Sequence, residues 1–157
     1  MKAFTLIELL AVTTIILIFS GLSLAYYNNF NQEKALKSEA GKLVDIFELA
    51  KKKAKSGDLS GRACNGGFNG YEINLTNSGY DLYLRCGGVR VSSSLFSYTF
   101  PSGIVISTGS GSYFFRELTT YSTSGTIQIK NSAISKCLII TISPSGTISL
   151  SDNFISC

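Results

Sequence analysis

The sequence predicts an α+β chain. One long N-terminal helix, with a membrane half and an amphipathic half, packs on a C-terminal antiparallel β-sheet or sandwich. Three observations predict it. Residues 4–27 form an apolar run interrupted by one acid, Glu8. From Leu36 the apolar residues return at a helical period. Beyond Gly57 the period becomes two, with short runs separated by Gly, Ser and Asn.

As a helix, residues 4–27 would reach ~36 Å, enough for a ~30 Å hydrocarbon core. A carboxylate inside such a run costs ~2.5–3.5 kcal/mol and calls for a partner. Ahead of it stand Met1, Lys2 and Ala3. That leader is too short for an ordinary secretory signal, whose apolar core precedes its cleavage site. A cut after Ala3 would remove residues 1–3 and leave the whole apolar helix on the mature protein. The competing reading is an uncleaved signal anchor with an incidental Glu8.

Residues 28–56 continue the helix. Leu36, Ala40, Leu43, Phe47, Ala50 and Ala54 fall at spacings of 4, 3, 4, 3 and 4, and Val44 and Ile46 widen the stripe. Glu33, Glu39, Asp45 and Glu48 precede Lys51, Lys52, Lys53 and Lys55, the order the helix dipole favours. Gly57 is placed to close the helix as its C′ residue. Ser20, Gly21 and Ser23 form the weakest section, since Gly costs ~1 kcal/mol against Ala.

Residues 57–157 read as β-rich. Residues 71–75 and 80–86 flank the turn Thr76-Asn77-Ser78-Gly79 as a hairpin. Further strands are expected over 89–91, 95–100, 104–107, 113–118 and 126–129. Residues 137–142 and 147–150 surround Ser143-Pro144-Ser145-Gly146, a turn with Pro at its second position. Short strands between such turns indicate an antiparallel sheet or sandwich, with no repeat and no second domain.

Composition sets the limits. Of 157 residues, about 125 remain for one modest domain beyond the apolar helix. The chain is 45% hydrophobic and 15% charged, sufficient for a core and low in charge for a cytosolic enzyme. The net charge of +4 is concentrated between residues 34 and 55, whereas a nucleic-acid footprint needs a stronger basic face. Cys64, Cys86, Cys137 and Cys157 form no CxxC pair, and without His a Cys/His zinc site is impossible. Four cysteines allow three pairings. Proximity favours Cys64–Cys86 and Cys137–Cys157, closing loops of about 20 residues worth ~3 kcal/mol each. Buried free thiols in a cytosolic domain are the other reading.

No catalytic, cofactor-binding or metal-binding constellation is visible. The chain has no His, and it contains no GxSxG, P-loop or dinucleotide fingerprint. Glu72, Asp81, Glu117 and Asp152 read as solvated acids. Tyr80, Tyr83, Tyr98, Tyr113 and Tyr121 read as strand residues rather than a binding surface. The lysines of 51–55 read as a solvated helix end rather than a phosphate contact.

The segment Lys2-Ala3-Phe4-Thr5-Leu6-Ile7-Glu8-Leu9-Leu10 resembles the processing site of type IV pilins and type II secretion pseudopilins. The resemblance implies cleavage between Ala3 and Phe4 by a prepilin peptidase, N-methylation of Phe4, and an assembly role for Glu8. Ala3 stands where that family most often has Gly. The order Ile140-Thr141-Ile142-Ser143-Pro144-Ser145-Gly146-Thr147-Ile148, preceded by Phe100-Pro101-Ser102-Gly103, is similar to the ending of GspH/FimT-type minor pseudopilins. The resemblance implies a non-catalytic subunit of a type II secretion pseudopilus or type IV pilus. Its partners would be other pilin subunits, the peptidase, an inner-membrane assembly platform and the lipid bilayer. It would be a single-pass inner-membrane protein, its C-terminal domain extracytoplasmic, that later enters the filament. Lys34, Lys37 and Lys42 beyond the apolar run, against Lys2 and the Met1 amine, do not favour that orientation; the leader and the cysteines outweigh them. The alternative is a DNA-binding minor pilin for DNA uptake. Such pilins carry basic residues after the Ser-Pro turn, where this chain has Thr147, Ile148, Ser149 and Leu150.

Overall fold

A computed structural model describes residues 5–118 and 122–157, with the side chains of residues 21–25 outside the description. Helix α1, Leu6–Ser56, is a single helix of 51 residues. It is followed by β1 (Phe68–Leu75), β2 (Gly79–Cys86), β3 (Val89–Arg90), β4 (Phe96–Thr99), β5 (Ile104–Thr108), β6 (Gly111–Arg116), β7 (Gly125–Asn131), β8 (Lys136–Ile142), β9 (Ile148–Leu150) and β10 (Ile155–Ser156). The chain is α+β with antiparallel sheets.

The helical stripe is the core's spine. Leu36, Ala40, Leu43, Phe47 and Ala50 are fully buried and Ala54 is 1% exposed, so the 4-3-4-3-4 spacing reports one inward line. Gly57 ends α1 in the left-handed region at φ 66°, its N–H meeting the last-turn carbonyls of Ala54 and Lys53.

Among the described residues the strands form two sheets. One runs β3-β2-β1-β6 with β4 also on β2; the other runs β10-β8-β7-β5 with β9 also on β8. The β1–β2 hairpin pairs Leu75 with Tyr80 through Ile73 with Leu82. Tyr71, Ile73 and Leu75 point to the core with Leu82 and Leu84 beside them. Ile127, Ile129, Leu138, Ile140 and Ile142 do the same in the second sheet. The sheets meet where the Ile106 N–H donates to the Asn77 carbonyl at 2.9 Å. Both contribute to one cluster around α1.

Cys64–Cys86 and Cys137–Cys157 are disulfides, with Cα separations of 5.4 and 5.7 Å. The second ties the end of the chain to β8, beside the β10 pairing that the alternation of the sequence did not indicate.

Two expectations change. Among the described residues no helix is long and apolar enough to cross a membrane. The described apolar part of α1, residues 6–20, reaches only about 22 Å against a ~30 Å hydrocarbon core. Phe4 and the side chains of 21–25, which the expected span also needs, lie outside the described residues. Glu72, expected to be solvated, is buried at 4% exposure. Arg85 on β2 and Arg90 on β3, one strand further out, close over its carboxylate.

Candidate assembly surface

Residues 6–20 of α1 stand clear of the folded domain. Leu6, Ile7, Leu17 and Phe19 are 68–80% exposed, and Leu9, Leu10, Val12, Ile15, Ile16 and Ile18 are also exposed. The polar groups in this stretch are turned onto the helix itself. Thr13 and Thr14 donate their hydroxyls to the Leu10 carbonyl at 3.0 and 2.7 Å, which leaves an apolar exterior.

Thr5 is the N-cap of α1, and its hydroxyl accepts the Glu8 N–H at 3.3 Å. The Thr5 hydroxyl also donates to the Glu8 carboxylate at 3.5 Å. Thr5-Leu6-Ile7-Glu8 therefore has the spacing of a capping box, and an acid in the first turn suits the helix dipole. The Thr-x-x-Glu spacing was readable in the sequence, and gives Glu8 a local role besides any intermolecular one. Ala3 and Phe4, the expected processing junction, lie outside the described residues.

The helix reaches the domain through a short polar collar. Tyr26, Tyr27 and Phe30 are exposed aromatics, and Lys34 sits 4.8 Å over the Phe30 ring. Next, the buried Asn131 amide donates to the Gln32 side-chain and backbone oxygens at 2.9 and 3.2 Å. Lys136 pairs with Glu33. From Leu36 onward the inner face of the helix is covered. Phe47 meets the Tyr113 ring edge-on at 5.3 Å and Phe115 at 6.1 Å. An apolar rod is thus clamped at one end to a disulfide-tied domain.

The polar groups of the domain pair largely among themselves, although the buried Arg85 Nε has no hydrogen-bond partner among the described residues. Glu72 forms an ion pair with Arg85 at 3.2 Å and accepts from Arg90, whose guanidinium lies 4.5 Å over the Tyr83 ring. Arg85 covers Phe114 at 5.1 Å. Arg90, Arg85, Gly70 and Arg116 form one cross-strand row. Gly70 is obligatory there: a Cβ at its φ of +133° would strike the Phe115 carbonyl. Strand register brings this cluster together, and two guanidiniums on one carboxylate serve to cover the sheet.

On α1, Glu39 accepts from Lys42 at 2.6 Å and from the Tyr98 hydroxyl at 2.9 Å. Hydrogen bonding to Glu39, then to Tyr98, holds the Lys42 ammonium well above the usual lysine value. Lys53, expected to be solvated, pairs with Asp58 at 2.5 Å, an interaction that raises the lysine and lowers the carboxyl. Tyr80 and Tyr113 are buried rather than a surface, and Tyr121 lies outside the described residues. Asp81 is half-buried on β2 and Asp152 exposed, and among the described residues no group of three or more acids or cysteines is arranged to hold a metal ion. No family model, curated protein or solved structure matches this chain.

Proposed function

We propose that this chain is a structural subunit that assembles through its N-terminal helix into a filament of the type IV pilus or type II secretion pseudopilus kind. The observation that carries the reading is the division of α1. One half is a bare apolar rod containing a single acid, and the other is clamped to a disulfide-tied β domain. An apolar rod exposed to water is unfavourable at ~25 cal/mol per Å², so it calls for lipid or for neighbouring rods. The Gly-Leu-Ser-Leu-Ala sequence of 21–25 extends the apolar run toward Tyr26 and Tyr27, aromatics of the kind that settle at a membrane interface. The subunit is held in the inner membrane before assembly, with residues 28–157 outside, where the two disulfides persist.

In this reading the peptidase cuts between Ala3 and Phe4, and the freed, methylated Phe4 amine of one subunit meets Glu8 of the next. Inside a packed apolar shaft the two charges compensate each other only at one stagger, which fixes register. Coexpression with a prepilin peptidase should shorten the chain by residues 1–3 and leave N-methyl-Phe4, read by intact mass. Glu8→Val should still be cleaved and should enter the bilayer more readily, since the ~2.5–3.5 kcal/mol insertion cost disappears. Its recovery in filaments should collapse. The N-cap bond survives in that variant, because the Thr5 hydroxyl accepts the Glu8 backbone N–H, and only its 3.5 Å bond to the carboxylate is lost. Retention of Met1 in filaments, or wild-type incorporation of Glu8→Val along the shaft, refutes the proposal.

A further inference from the structure

Between α1 and strand β4 runs an open groove of about 600 Å³. Lys42, held by Glu39 and Tyr98, closes one end, and Lys53, paired with Asp58, closes the other. From Lys42 to Lys53 the helix rises about 16 Å, the length of about five extended residues. The walls are apolar, with Leu49 on the helix side and Phe96 on the strand side, 41% and 45% exposed. Tyr80 lines the floor and is 4% exposed, yet among the described residues its hydroxyl has no hydrogen-bond partner.

The β4 side of the groove is an unfilled sheet edge. Among the described residues β4 pairs with β2 alone. The bond from the Phe100 N–H to the Ser78 carbonyl sets the phase of that ladder. Its alternation turns the Ser97 and Thr99 backbone groups outward, away from β2. Such a row accepts another strand. Charge narrows the occupant. Lys42 and Lys53 are balanced by Glu39 and Asp58, whereas Asp45, on the same helical stripe, has no ion-pair partner among the described residues. Asp45 and Leu49 are one turn apart, ~6 Å, which matches the ~6.6 Å between alternate side chains of a strand.

We propose that this groove receives an extended peptide segment of a partner protein, added as a strand to the β4 edge. The segment has the pattern basic–x–apolar–x–apolar. Its basic residue meets Asp45, and its first apolar residue packs between Leu49 and Phe96. An acceptor on the segment takes the Tyr80 hydroxyl. The groove and the bare half of α1 share no residues, so this inference is independent of the filament reading.

The test uses the full chain, isotope-labelled and held in amphipol, titrated with acetyl-Thr-Lys-Thr-Phe-Thr-Val-Thr-amide and followed by amide shifts and hydrogen exchange. Saturable binding is expected, with slowed exchange at the Ser97 and Thr99 amides. Asp45→Lys and Leu49→Asp, both at exposed helix positions, should weaken it at least about 10-fold, as should a Thr-Thr-Lys-Phe-Val-Thr-Thr peptide that breaks the alternation. The proposal is overturned by lack of saturation at about 1 mM peptide. It is equally overturned by unchanged affinity in either variant or with the rearranged peptide, or by binding that leaves Ser97 and Thr99 unprotected.

Discussion

Phe47→Ala probes the seam that holds the long helix to its domain. Phe47 is fully buried, and its ring is the joint between α1 and β6 through Tyr113 and Phe115. Truncating a buried Phe costs ~3–5 kcal/mol. The two ring contacts, each ~0.5–1.5 kcal/mol, place this site at about 4 kcal/mol. Residues 28–157 have an unfolding entropy of about 0.27 kcal/mol/K, so the midpoint should fall by about 15 °C. Leu17, 73% exposed on the bare half of the helix, supplies the contrast. Leu17→Ala should move the domain's transition by no more than ~2 °C. Thermal melts of the full chain in detergent, followed by the near-ultraviolet tyrosine signal to which the buried Tyr71, Tyr80 and Tyr113 contribute, measure both. A fall under ~5 °C for Phe47→Ala, or equal falls for the two variants, would refute the division of α1 into a clamped half and a free half.

Non-reducing peptide maps should show Cys64 joined to Cys86 and Cys137 to Cys157; Cys137→Ser should cost ~2–5 kcal/mol and free the end of the chain to proteolysis. Glu72→Ala should destabilise by ~3–5 kcal/mol, because Arg85 and Arg90 lose the carboxylate they cover, and a chemical melt within ~1 kcal/mol of wild type would contradict that role. Burial pushes the Tyr80 hydroxyl up to about 12. Its folded value exceeds the unfolded ~10, so its stabilisation is complete below pH ~10 and is lost as pH rises through about 12. Tyr80→Phe should remove that alkaline loss and the tyrosinate absorbance step that accompanies it. Asp58, lowered by Lys53 and by the Ser60 N–H, works in the opposite direction. Its contribution is present above the unfolded carboxyl value near 3.9 and declines on acidification below it, so Asp58→Asn should flatten the acid limb of a stability–pH curve.

Where a local period fixed a face, the sequence was enough. Leu36 to Ala54 are buried in the order their spacing implies, and Gly57 closes the helix. The hairpin around Thr76–Gly79 forms, with the Thr76 N–H bonded to the Gly79 carbonyl at 2.8 Å. The strands after it also stand, shifted by one or two residues at their ends. Glu72 was misread because alternation assigns a face and not what covers it. Tyr71 and Ile73 point inward, so Glu72 points outward, and only the β2 and β3 registers bring two arginines over it.

The sequence by itself determined the α+β class, the buried stripe of the long helix, its bare apolar partner segment and the favoured disulfide pairs. Each follows from periodicity or short separation along the chain. Tertiary structure alone decided the collar of Asn131 on Gln32 and Lys136 on Glu33, the Arg–Glu72 cover and the Tyr80 groove beside an open β4 edge. These join residues far apart in sequence. Their meeting depends on how sheets register and cross the helix, and no local pattern of side chains encodes that.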